Sequence, residues 1–136
     1  MSKILFDWDG TIAKPDVARM ASERRFKTLG QTIEAAWLKE AMKNNDHYKV
    51  NKQLISKYTG LTDDKELTTI MTDIFKYHYL GVIHEMGNKA LYDGMINVIK
   101  KLHDKGHKLA IATTLRSDLI RYSLKVLNMD MYFEKV

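Results

Sequence analysis

The sequence predicts an α/β fold in which a parallel-sheet core is interrupted after its first strand by a block of helices and is left incomplete at the C-terminus. Three observations carry this. The apolar run Ile4-Leu5-Phe6 stops abruptly at Asp7-Trp8-Asp9-Gly10, and a second run, Leu109-Ala110-Ile111-Ala112, stops at Thr113-Thr114. Short continuous apolar runs bounded by turn signals have the composition of strands buried on both faces, as in parallel sheets. Between them the apolar residues recur almost throughout at helical spacing.

The opening strand ends at Gly10, and Thr11 to Pro15 reads as a loop. Pro15 and Asp16 start a helix, because proline is tolerated in the first turn, and Gly30 closes it after about Leu29. Gln31 to Lys43 reads as a second helix carrying Ile33, Ala36 and Trp37, broken by Asn44-Asn45-Asp46. A third, from about His47 to Tyr58, has Val50, Leu54 and Tyr58 four apart and ends before Gly60. The fourth carries Leu67, Ile70, Met71, Ile74 and His78 on one stripe, is capped by Asp63 or Thr62, and extends to Glu85 or Met86 with a bend expected at Gly81. After a loop from Gly87 to Gly94, a short helix places Met95, Val98, Ile99 and Leu102 on one side. The second strand follows, then a helix capped by Ser117 or Thr114 with Ile120, Leu124 and Leu127 on its apolar face and Asn128 at its end. Met131 to Val136 reads as the approach to a third strand.

Two strands alone make no sheet worth burying, but the helical block between them folds as a small bundle above the loop that ends at Asp9. The organisation is therefore a core of residues 1–14 and 89–136 with a helical lid of residues 15–88, crossed by the chain near Lys14 and Lys89, where it can hinge.

Length and composition bound the function. At 136 residues the chain suits one domain carrying a modest insertion, and 45% hydrophobic with 29% charged residues is ordinary for a globular protein. The absence of cysteine excludes disulfide frameworks, thiolate zinc sites and thiol nucleophiles. A net charge of +5, from 22 basic and 17 acidic residues, is compatible with an anionic substrate or nucleic acid. The basic residues are dispersed, however. Arg24, Arg25 and Lys27 form the densest cluster and Lys100, Lys101, Lys105 and Lys108 a looser one, neither within a nucleic-acid-binding motif, so both read as solvated faces. Only Lys3 precedes the first apolar stretch, and no run approaches the roughly 18 apolar residues of a membrane span. A cytoplasmic protein without nucleic-acid or membrane partners is expected.

The chemistry concentrates at the first strand end. In an open parallel sheet, reactive groups sit just past the carboxyl ends of the strands, which puts Asp7 and Asp9 on a loop there. Asp7 can attack and Asp9 can move protons. The competing reading is a polar turn after a strand. The five histidines, His47, His78, His84, His103 and His107, show no metal-ligand spacing and read as structural or surface residues.

Asp7-Trp8-Asp9-Gly10-Thr11, the helical insertion after it, Leu91-Tyr92-Asp93-Gly94 before a short helix, and a buried strand ending in Thr113 together resemble the haloacid dehalogenase superfamily of phosphohydrolases. The resemblance implies a Rossmann-like core with an all-helical cap inserted after the first strand, similar to phosphoglycolate phosphatase-like and beta-phosphoglucomutase-like members. It implies Asp7 as the nucleophile that becomes an aspartyl phosphate, Asp9 as general acid and base, and Thr113 as a hydroxyl holding phosphoryl oxygens, with Thr114, Gly10 and Thr11 beside it. Magnesium is the implied cofactor, bound by the Asp7 side chain and the Asp9 backbone carbonyl. Phosphoryl transfer asks mainly for positioning and charge neutralisation, and the backbone amides from Trp8 to Thr11 are expected to contribute. The dehalogenases that name the superfamily lack the second aspartate, so Asp9 points to phosphatase or phosphomutase chemistry.

The chain departs from the pattern in one respect. The superfamily supplies a lysine or arginine and a further acidic pair on segments after the Thr113 unit, and this sequence ends before them; Lys135 arrives too early to serve. The expectation is a magnesium-dependent phosphohydrolase acting on a small phosphorylated metabolite, with weak or absent turnover in the 136-residue form. The alternatives are a phosphosugar mutase built on the same parts and a truncated, non-catalytic phosphate-binding remnant.

Overall fold

The structure, a computed structural model, describes residues 2–30, 43 and 47–136. The expected second helix and the Asn44-Asn45-Asp46 break lie outside the described residues, Lys43 aside. In chain order the elements are β1 (Lys3–Phe6), α1 (Pro15–Thr28), α2 (His47–Thr59), α3 (Asp64–Met86), α4 (Met95–Asp104), β2 (Lys108–Ile111) and α5 (Ser117–Val126). Short 3₁₀ turns cover Gly87–Ala90, within the expected loop, and Asp130–Tyr132. The chain divides into two compact units, Met1–Ala18 with Leu80–Val136, and Arg19–Tyr79.

The first unit holds the sheet. β1 and β2 pair in parallel with Lys3 opposite Lys108 and Phe6 opposite Ile111. Glu134 donates its N–H to the Leu109 carbonyl at 2.9 Å, and Ile111 donates to the Lys135 carbonyl at 3.0 Å, so the C-terminal residues begin a third parallel line on the far side of β2. Leu109 and Ile111 are buried, and Phe6 meets Phe133 edge to face with centroids 6.3 Å apart. Leu5 departs from the expectation of a strand buried on both faces, because it is 69% exposed. Its apolar character alone could not supply the covering layer that parallel strands need on each face.

Helix packing follows the apolar stripes. α4 buries Ile99 while Val98 is exposed, and α5 buries Leu119, Ile120 and Leu124. No side chain caps α5: its N-cap is Arg116, so neither Thr114 nor Ser117 takes the expected role. Asp118 instead accepts from the Leu119 amide at 2.8 Å and pairs with Arg116 at 3.0 Å. At the other end Asn128 adopts a left-handed φ of 57° and Met129 donates back to the Leu124 carbonyl at 2.8 Å, which closes the helix as expected.

The second unit is helical. Phe26 of α1 and Leu29 just beyond it, Val50, Leu54 and Ile55 of α2, and Leu67 and Met71 of α3 form its core, with Ile70 and Ile74 packed against it. The Asp63 carboxylate accepts from the Glu66 amide at 3.1 Å, as a cap should. Tyr58, expected on the buried stripe of α2, is 71% exposed. The stripe turns instead through Asn51 and Ile55, the adjacent positions of a 3.6-residue repeat. α3 runs on as one helix to Met86, as expected. No helix among the described residues is long and apolar enough to cross a membrane.

Candidate active site

The loop after β1 is organised by Trp8, which is completely buried. Its carbonyl accepts N–H groups from Thr11 at 3.2 Å, Ile12 at 3.0 Å and Ala13 at 3.0 Å, winding the chain into a compact turn. Gly10 closes that turn by donating to the Ala13 carbonyl at 2.9 Å with a φ of +75°, a conformation that favours glycine. Lys14 donates to Ala90 at 2.8 Å and Tyr92 to Ile12 at 3.2 Å, tying the turn to the segment that launches α4. Trp8, Ile12 and Ala13 point inward, and that alternation leaves Asp7, Asp9, Gly10 and Thr11 exposed.

The two carboxylates differ in surroundings. Asp7 Oδ1 accepts from the Trp8 amide at 2.7 Å, which fixes the side chain against its own backbone. Desolvation of the Asp9 carboxyl, and secondarily the negative charge of Asp7, push its pKa above the ordinary aspartate range. Asp9 is therefore more readily protonated than an ordinary aspartate, as a proton donor should be.

Thr113 reaches the same end of the sheet through the register. Phe6 and Ile111 are opposite one another, and Ala112 donates to the Phe6 carbonyl at 2.9 Å, so Asp7 and Thr113 leave adjacent parallel strands at the same level. Neighbouring strands run about 4.8 Å apart. Thr113 Oγ1 accepts from the Leu115 amide at 3.1 Å, which orients the hydroxyl and leaves its proton to be donated. Thr114 follows, exposed. The amides of Trp8, Gly10 and Thr11 are engaged by Asp7, Ala13 and Trp8 respectively. Of the amides from Trp8 to Thr11, this leaves the Asp9 N–H without a backbone partner among the described residues.

The donor set suits a hard divalent cation. Two carboxylates close enough for one to raise the pKa of the other favour a cation between them, and among the described residues the Asp9 carbonyl accepts no backbone hydrogen bond. No group of three or more His, Cys, Asp or Glu side chains gathers among the described residues, so an ion here would complete its shell with water. The structural roles of Trp8 and of the Leu115 amide escaped the sequence reading. The apolar residue between two aspartates was the available signal for Trp8, whereas a backbone amide leaves no signal.

The profile of the haloacid dehalogenase-like hydrolases matches residues 4–136. This chain belongs to the haloacid dehalogenase-like hydrolase family. Among curated haloacid dehalogenase-like relatives, it is 28% identical over 144 residues to phosphoglycolate phosphatase from Aquifex aeolicus, covering 100% of this chain and 60% of that protein. It is 25% identical to pyrophosphatase PpaX from Bacillus pumilus, covering 100% of this chain and 58% of that one. The chain thus spans about three fifths of the length of these relatives. The fold is shared with the magnesium-bound structure of YfnB from Bacillus subtilis, at a TM-score of 0.61 and 18% identity over 98% of this chain and 61% of that one. It is also shared with CbbY from Rhodobacter sphaeroides in complex with phosphate, at a TM-score of 0.60 and 17% identity over 99% and 62%.

Proposed function

We propose that this chain is a magnesium-dependent phosphohydrolase that cleaves a small phosphomonoester through an aspartyl phosphate on Asp7, with Asp9 as general acid and base. The observation that carries the reading is the parallel register of β1 and β2, which sends Asp7, Asp9 and Thr113 out of one sheet end. Residues 1–14 and 89–136 are assigned as the catalytic core and 15–88 as the inserted cap, in a cytoplasmic protein.

In the first step a carboxylate oxygen of Asp7 forms a bond to phosphorus while the bond from phosphorus to the substrate's alcohol oxygen breaks. The carboxyl of Asp9 gives its proton to that departing oxygen, so an alcohol leaves. Asp9, now a carboxylate, takes a proton from water, whose oxygen attacks phosphorus and releases inorganic phosphate with Asp7 restored. The Thr113 hydroxyl and the Asp9 amide donate to the non-bridging oxygens as charge shifts onto them. Mg²⁺, held by the Asp7 carboxylate and the Asp9 carbonyl, would offset repulsion between the anionic nucleophile and the phosphate.

The raised pKa of Asp9 supports its role as proton donor, and the name of the phosphoglycolate phosphatase relative supports a small phosphomonoester as substrate. The test is release of inorganic phosphate from an aryl phosphate and from phosphoglycolate with Mg²⁺, under single-turnover conditions with protein in excess. Phosphate release that disappears in Asp7→Asn supports the reading. An isomeric phosphate instead of free phosphate would assign a mutase, and binding without any release would assign a non-catalytic remnant.

A further inference from the structure

The basic cluster on α1 is not a uniformly solvated face. Arg25 is half-buried, its guanidinium carbon 5.0 Å from the centre of the Phe75 ring and 5.8 Å from that of Phe26. Its Nε is buried with no hydrogen-bond partner, and no ion pair involves Arg25 among the described residues. Aromatic faces attract a guanidinium but offer no oxygen lone pairs to its N–H groups. A buried donor without an acceptor, on a group that carries a full charge, is costly.

The neighbouring positions complete a patch within the helical unit. Thr28 lies one turn along the same face of α1, donates Oγ1–H to the Arg24 carbonyl at 2.9 Å, and sits 2.6 Å from His78 Nε2. With that hydroxyl proton engaged, His78 Nε2 is the donor in the second contact. His78 stands one turn beyond Phe75 on α3, with the Tyr77 ring edge against it at 5.2 Å between centroids. The Thr28 and His78 protons in these contacts are thus already engaged, which leaves the Arg25 guanidinium as the donor of the patch, above an aromatic shelf.

We propose that the surface formed by Arg25, Thr28, Phe75 and His78 is a binding site for a small oxyanion, a carboxylate or a phosphate group taken by the Arg25 fork beside His78. A planar fork of N–H groups matches either oxyanion in bidentate fashion, which a lysine would not. The electrostatics agree with the geometry. Burial pulls the Arg25 pKa down, against an opposing contribution from Tyr48, and burial followed by the charge of Arg24 pulls His78 down as well. The charge of Arg24 makes the field at His78 positive. The proposal does not rest on the phosphohydrolase reading.

The test is an NMR titration of the His78 imidazole in the full chain, assigned with His78→Gln, in sodium phosphate, sodium acetate and sodium chloride at matched ionic strength. The expected result is a saturable rise of the His78 midpoint by about one pH unit in phosphate, acetate or both, relative to chloride. The anion that produces it identifies the group the site takes. Arg25→Gln should remove the rise, and Arg25→Lys, which keeps the charge without the fork, should reduce it. Thr113→Val should leave it unchanged, which distinguishes it from phosphate bound at the sheet end. No rise in either anion in the unsubstituted chain overturns the proposal, as does a rise that persists in Arg25→Gln.

Discussion

Ala112 donates its backbone N–H to the carbonyl of Phe6 at 2.9 Å, the last rung of the parallel ladder before both strands give way to loops. That rung fixes where Asp7 stands relative to Thr113, because each is the first or second residue beyond it. The oriented Thr113 hydroxyl is then expected to contribute to phosphoryl transfer. Thr113→Val should lower kcat/KM for an aryl phosphate by about 100-fold, and Thr113→Ser should restore most of it. Equal rates in all three proteins would assign Thr113 to structure alone.

Trp8 anchors the turn through its buried ring and through a carbonyl that accepts three amides. Trp8→Ala removes the ring and leaves a cavity, at a cost of about 3–5 kcal/mol. Urea unfolding of the two proteins measures this. A loss below about 1 kcal/mol would mean that the loop holds without its anchor.

Gly10 is constrained by conformation and not by space. A Cβ there would meet nothing within 4 Å, but φ is +75°. Gly10→Ala should cost about 1–2 kcal/mol and Gly10→Asn less, since asparagine tolerates the left-handed region. The order of the two midpoints in a denaturant series checks it, and alanine at or above asparagine contradicts it.

Much of this was legible in the sequence because it depends on local pattern. The run into Asp7, the left-handed Asn128 and the Asp63 cap all announce themselves within a few residues. What was not legible depends on distant chain. Leu5 looks like a core residue and is mostly exposed, because whether a strand's second face is covered is decided by elements elsewhere. Tyr58 looked buried at four-residue spacing, but the stripe drifts to Ile55 under a 3.6-residue period. Arg25 read as a solvated charge. Its packing against Phe75 pairs two helices separated by the whole of α2, which periodicity within one helix cannot reveal.

His78 gives the helical unit a pH response of definite sign. Its folded pKa lies below the ordinary 6.5, so the unfolded chain binds the proton more readily. Stability should fall as pH drops through 6.5 toward the lower folded value, and be fully present above 6.5. Thermal unfolding across that range, compared with His78→Gln, isolates the contribution. An unchanged pH slope in the variant would remove His78 as its source.

The central claim is that Asp7 takes the phosphoryl group. Acid quenching during a single turnover of an aryl phosphate with Mg²⁺, followed by peptide mass spectrometry, locates any covalent phosphate directly. The account predicts a hydroxylamine-sensitive phosphoryl group on Asp7 in the unsubstituted chain and none in Asp7→Asn. Phosphate release that persists in Asp7→Asn, or a phosphoryl group found on another residue, would contradict it.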